Sequence, residues 1–472
     1  MTARERQGSG RRWVGAGIAG AAWLWLAIPA VVAAHQLNAT YESRLPLAVY
    51  LAGAGATVAL SFLFVLVRDV RADRPIARSD GRLPPAPLRI ALRAIGVIGW
   101  AWIVAQGIAG GVSNAEVTTL FLWVYGWVGV AILSAFVGPV WQFLDPFSTL
   151  FDIGAWILRK AGVTPWDMAD YPDRLGRWPA VIGFAAVVWI ELVLAPSPAV
   201  LFVILVGYTA LTLAMMAQFG RDTWRSHGEI FTVWFRLLGR LAPFALVDET
   251  GRVRRRPFAS GLLEPGWQLS DVVMIGLGVG SILFDGLSQT QIWYDLFGFP
   301  QVATETLLLA GFLGIIVAAA LAVTRVVGVS ATGAGLLPIA VGYLVAHYLT
   351  YLVIDGTRII IAVSDPLQRG SDIFGTAFYQ PSGAWLPPGL VWTIQLAAVV
   401  GGHMLGAWGG HVVASLDAPK GIVGRALTIR QVPLAVVMVG LTTLTLWSLG
   451  QAIVVTPQQP AASSQAVTTS RG

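Results

Sequence analysis

Five histidines and a few carboxylates set in apolar sequence are the side chains best placed to do chemistry. His347 lies in LVAHYLTYLVIDG, with Asp355 eight positions on. His403 and His411 lie in GHMLGAWGGH, again eight apart. His35 follows VVAA near the N-terminus, and His227 precedes Glu229 in an arginine-rich stretch. Glu191, Asp285 and Glu305 complete the set. An ionisable group at membrane depth is unfavourable in hydrocarbon and faces protein or water instead. Three chemistries suit these groups. Two neutral imidazoles on facing helices, drawn from His347, His403 and His411, would ligate a haem iron. Imidazoles from His347, His403 or His35 with Asp285 or Asp355 would hold a divalent metal and acidify its bound water. A free amine at His35, exposed by cleavage, would chelate copper together with its own ring. The competing reading for each histidine is an interhelical hydrogen bond that only packs helices. Glu191 reads as such a partner, and His227 with Glu229 as solvated.

The elements that carry these groups follow from composition. Of 472 residues, 12% are charged and 56% hydrophobic, against about 25% charged in a soluble domain. The fold class is therefore an all-α integral membrane bundle of about 10–11 spans. Apolar runs long enough to cross a bilayer lie near 13–34, 46–67, 90–112, 117–138, 178–196, 199–218, 267–287, 303–325, 334–356, 389–413 and 433–455. Residues 1–35 form a signal-like or anchor segment, 36–456 the polytopic membrane domain, and 457–472 a polar tail expected to be disordered. Cleavage after Ala34 and retention of the first span are both open. Counted from the span ends, His347 and His403 each lie about 20 Å along their helices, which predicts rings near mid-membrane, offset by one or two turns. The glycines of GHMLGAWGGH allow a close helix or a flat ligand.

Charge orients the bundle. Of the 31 basic residues, 27 fall in one set of alternate loops and 4 in the other, at Arg44, Arg358, Arg369 and Arg471. Basic residues in short loops stay cytoplasmic, which predicts an inside N-terminus and an outside C-terminus. Two of the basic segments, FSTLFDIGAWILRKAG and RDTWRSHGEIFTVWFRLLGRLAPF, read either as helices lying in the headgroup plane or as ordinary connectors. The long outer loop 356–389 reads as a lid over an outer pocket or as a packed cap. The net charge of +6 is explained by these loops and not by nucleic acid. With no cysteine, disulfides, thiolate metal sites and iron–sulfur clusters are excluded. No phosphate-binding glycine loop, nucleophile elbow or HExxH occurs. LDPFSTLFDIG and SDPLQRGSDIFG share Asp-Pro followed by Asp-Ile, 220 residues apart at Asp145 and Asp365. Inverted repeats of a transporter would give this, and so would two unrelated Asp-Pro helix starts.

Several stretches together resemble a family of bacterial polytopic membrane proteins known as fenitrothion hydrolase: AHQLNATYESRLPLAVYLAGAGATVALSF, WQFLDPF, YPDRLGRWPA, SILFDGLSQTQIW, HYLTYLVIDG, SDPLQRGSDIFGTA and GHMLGAWGGH. The resemblance implies the bacterial plasma membrane, a signal-like start ending at Ala34-His35, and hydrolysis of organophosphorus triesters. Val412 stands after His411, where the family often has Asp. Metal-assisted hydrolysis needs several ligands. Five histidines are few for a two-metal cage, so this reading admits a second membrane subunit. The alternatives are a haem- or copper-binding redox protein and a small-molecule or ion transporter.

Overall fold

The computed structural model describes Gly55 and residues 80–109, 116–163, 169–418 and 425–449. The spans expected at 13–34 and 46–67, the segment 1–35 with His35, and the tail 457–472 lie outside the described residues. Among the described residues, nine helices are long and apolar enough to cross a membrane, and the chain is a multi-pass membrane protein built as a helical bundle. In chain order the elements are α1 (Ala86–Ala109), α2 (Val117–Phe136), α3 (Pro146–Lys160), α4 (Asp173–Leu194), α5 (Pro198–Phe219), α6 (Arg221–His227) and α7 (Ile230–Leu238). Then come a two-stranded hairpin, β1 (Phe244–Leu246) and β2 (Val253–Arg255), and α8 (Leu269–Ser288), α9 (Gln291–Phe297) and α10 (Val302–Val327). The chain continues through α11 (Val329–Asp355), α12 (Ile359–Ser364), α13 (Pro388–Leu416) and α14 (Arg425–Leu449). The spanning helices are all of these except α3, α6, α7, α9 and α12.

Burial separates centre from rim. The apolar window of α8 is 83% buried and that of α11 is 56%, whereas α1 is only 11% buried. Rim helices keep Ile108, Ile182, Val203, Leu307 and Ile315 exposed. Hydrocarbon is the solvent that tolerates such a belt, because lipid tails are as apolar as leucine. The central pair, α11 and α13, meet almost backbone to backbone. A Cβ at Gly402 would stand 2.5 Å from the Pro338 carbonyl oxygen, and one at Gly406 2.3 Å from that of Gly335. At Gly402 and Gly406, of the two uses the glycines allowed, a close helix or a flat ligand, the close helix takes the space.

The arginine-rich segments gather at one end of the bundle, called here the basic end. Arg82 bridges Val253, Arg221 pairs with Asp152 at 2.6 Å, and Arg177 pairs with buried Asp271 at 2.7 Å. The second of the two segments read as interfacial departs from that reading. In α7 every residue except Arg236 is buried, with Trp234 against Phe184 at 4.8 Å between ring centroids. Its aromatic residues are numerous enough to fill a gap between α2 and α4, so burial there exceeds what a headgroup plane offers. Glu229, read as solvated, is 0% exposed. It caps α7 through the Phe231 and Thr232 amides and accepts from the Tyr208 hydroxyl at 2.6 Å. A carboxylate at a helix N-terminus satisfies the otherwise orphaned amides, which explains its tolerance inside. Burial, then Asp145, push the Glu229 carboxyl above its ordinary range. His227 bonds locally, to Ser226 and the Thr223 carbonyl, and its ring lies on Tyr171. By contrast α3 keeps Ile153, Trp156 and Ile157 exposed along one side.

The two Asp-Pro sites differ in use. Asp145 caps α3, accepting from Phe147 N and Ser148 N with Pro146 in the first turn. Asp365 starts no helix; it gathers the amides of Arg369 and Gly370 and the Ser371 hydroxyl in the loop after α12.

Candidate functional site

The last turn of α8 and the second half of α11 bring one predicted pair together. His347 Nε2 lies 2.8 Å from Asp285 Oδ2. The Tyr348 hydroxyl donates to the same oxygen at 3.0 Å, and Gln289 Nε2 donates to Oδ1 at 2.7 Å. The carboxylate therefore accepts from three side chains. Its oxygen fixes the ring: with Nε2–H donating to the carboxylate, Nδ1 carries the basic lone pair. No hydrogen bond engages Nδ1 among the described residues. Both side chains are mostly buried, 18% exposed for His347 and 16% for Asp285. Gly286 packs beside the ring, and a Cβ there would meet His347 Cε1 at 3.6 Å and Ser448 Oγ of α14 at 3.4 Å.

A second carboxyl faces the same cluster. Glu191 interacts with Trp127, Tyr348 and Asp285. It sits in a π-helical stretch, Ile190–Leu194, and Trp127 in another, Leu120–Val130. π-helical turns widen the backbone ring and are frequent at functional sites. Trp127 is buried in the bundle core, and Glu191 meets both Trp127 and Asp285 there. Further along α11, Tyr351 and Asp355 follow His347 at intervals of four residues and so share its face. Asp355 is held by Arg358 at 2.9 Å. A polar track thus runs from His347 to the arginine-poor end of the bundle. The loop beyond is pinned down by Ser364 donating to Asp372 at 2.7 Å, and by Trp102 donating to the Pro366 carbonyl at 2.8 Å. Glu305 lies in the first turn of α10.

The other histidines stand elsewhere. On α13, the residue level with His347 is Gln395, whose amide donates to the Ala346 carbonyl at 2.8 Å. His403 is eight residues farther on, about 12 Å along the axis. The offset is about two turns, the upper end of the range expected, and the glycine contacts fix it by setting the register of α11 on α13. His403 is fully buried, with Nδ1 2.7 Å from the Thr442 hydroxyl. His411 Nδ1 lies 2.7 Å from Gln431 Oε1. Both bonds tie α13 to α14. Among the described residues no group of three or more His, Cys, Asp or Glu is arranged to hold a metal ion. Haem would need a slot where Gly402 and Gly406 press on α11. His35, one of the candidate metal ligands, lies outside the described residues; at His347 Nδ1 the chemistry available is proton transfer.

Sequence reasoning passed over Tyr348, Gln289 and Trp127, and treated Glu191 as packing. Tyr348 was next to His347 in HYLTY, a signal in plain view; π-helical geometry has no sequence mark. Comparison with family models, curated proteins and solved structures finds no match to the chain.

Proposed function

We propose that this multi-pass membrane protein works through the Asp285–His347 pair as a general base, in a pocket that opens at the arginine-poor, outer end. The supporting observation is the carboxylate-held ring with Nδ1 left without a partner. The reading joins the resemblance to fenitrothion hydrolase. A neutral organophosphorus triester partitions into a bilayer and reaches such a site without crossing water. In the reaction, a water O–H proton passes to Nδ1 while the water oxygen bonds to phosphorus. The phosphorus–oxygen bond to the aryloxide breaks, and the imidazolium returns its proton to that leaving group. Asp285 orients the ring and offsets its transient charge. Tyr348 and Gln289 hold Asp285 in place.

Proton-coupled transport is the second reading, and Glu191 favours it: two carboxyls, an imidazole and a phenol in one membrane cluster also suit a proton relay. The test uses the full chain in proteoliposomes with a nitrophenyl phosphotriester. Wild type releases nitrophenol, and His347→Ala loses about 10²–10⁴-fold in kcat/KM. Equal release by wild type and by His347→Ala, or by wild type and by empty liposomes, would remove the hydrolytic reading. Proton uptake abolished by Glu191→Gln, without hydrolysis, would then select transport.

A further inference from the structure

A cleft of about 90 Å³ opens at the basic end, far along the chain from His347, and its lining includes Arg89, Arg93, Arg221, Arg225, Asp145 and Glu249. Four guanidinium groups face two carboxylates there. Counting Asp152, Asp222, Glu229 and Arg236 just beyond, five basic groups face five acidic ones, so the case rests on donors left unpaired and not on net charge. Arginine outnumbers lysine throughout this chain, so residue choice carries no weight; burial and pairing do. Arg225 is 2% exposed. Its Nε lies 3.2 Å from Asp145 Oδ2, an ion pair outside hydrogen-bond geometry, and its Nε and Nη2 both lack a hydrogen-bond partner. Arg89 Nε is likewise buried without one. Asp145 has its oxygens occupied by Phe147 N, Ser148 N and the Ser148 hydroxyl. Glu249 is engaged by both terminal nitrogens of Arg236. Arg221 is shared between Asp152 and Asp222. Buried guanidinium donors left over after every nearby carboxylate is used call for an acceptor that the chain does not supply. Burial also pulls Arg225 below the usual guanidinium range, with Asp145 opposing.

We propose that this cleft binds a phosphate group, held by Arg225 and Arg89 from within and by Arg93 at the rim. The volume admits a small oxyanion with a few waters, since about 10–15 Å³ of such space holds one water. Planar guanidinium forks match phosphate oxygens two at a time. Free phosphate esters and the headgroup of an anionic lipid share this chemistry, and Arg89 and Arg93 lie in the first turns of a spanning helix, at headgroup level.

The experiment measures thermal unfolding of the full chain at constant ionic strength, in neutral detergent with inorganic phosphate against chloride. A second arm uses nanodiscs of phosphatidylcholine with and without phosphatidylglycerol. Wild type is stabilised by phosphate in detergent, or by phosphatidylglycerol in nanodiscs, or by both. Stabilisation by phosphate alone marks a soluble ester; stabilisation by phosphatidylglycerol that also blunts the phosphate response marks the lipid. Arg89→Gln/Arg93→Gln, which leaves the buried Arg225–Asp145 pair intact, binds at least about tenfold more weakly, as expected for loss of two charged donors. Arg225→Gln loses the response altogether. The proposal is overturned if wild type responds to neither probe beyond chloride, or if the double variant responds as wild type does; the arginines would then only brace α1, α3 and α6.

Discussion

Asp285→Asn and His347→Gln, made singly and together, measure whether these residues act as a unit. The ring nitrogen and carboxylate oxygen are 2.8 Å apart, and both side chains are less than one-fifth exposed. A buried hydrogen bond to an ionised partner contributes ~1.5–3 kcal/mol. Interhelical hydrogen bonds in membranes average ~0.6 kcal/mol and reach ~1.7, because the unfolded chain in lipid also finds partners. The carboxylate places this bond near the top of the membrane range, and residual exposure keeps it below the buried one. The expected coupling energy is therefore ~1.5 kcal/mol, read from a double-mutant cycle of reversible unfolding in mixed micelles. Activity should fall for a separate reason. Asn presents an N–H to Nε2, the ring proton moves to Nδ1, and the basic lone pair then faces the wrong way. Turnover should drop by about 10²–10⁴-fold in each single variant, and the double variant should be no worse than His347→Gln alone. A coupling below ~0.5 kcal/mol, or losses that multiply in the double variant, would show two independent neighbours and refute the pairing argument.

Gly406→Leu should destabilise by ~3 kcal/mol or more, or prevent folding, because its Cβ would stand 2.3 Å from the Gly335 carbonyl. Gly401→Ala, with open space around its Cβ, should unfold like wild type in the same melts. Glu116, 3% exposed at the start of α2, has its carboxyl pushed up to about 7 by burial, from an ordinary 4.5. The folded state then holds its proton more tightly than the unfolded state. Stability from this group is full below pH 4.5 and declines as pH rises to about 7. Melts across that window should lose this component in Glu116→Gln.

The nine described membrane spans were legible in the sequence because the preference for hydrocarbon is a local sum over about 20 residues, whichever neighbours those residues later meet. The expected span 303–325, for instance, is α10, and 389–413 lies within α13. The clustering of arginine-rich loops was legible for the same reason, since charge is excluded from the core wherever the helices pack. Partner choice was not legible. Asp285 and His347 are 62 residues apart, and their meeting depends on how α8 and α11 are rotated about their axes. His403 misses His347 by about two turns because Gly335, Gly342, Gly402 and Gly406 let two backbones touch and lock one register. Glu229 and the α7 aromatics looked like a surface helix because amphipathic composition is the same whether the apolar side meets lipid or protein. Only tertiary packing, which fills a gap of definite shape between α2 and α4, decided that they lie inside.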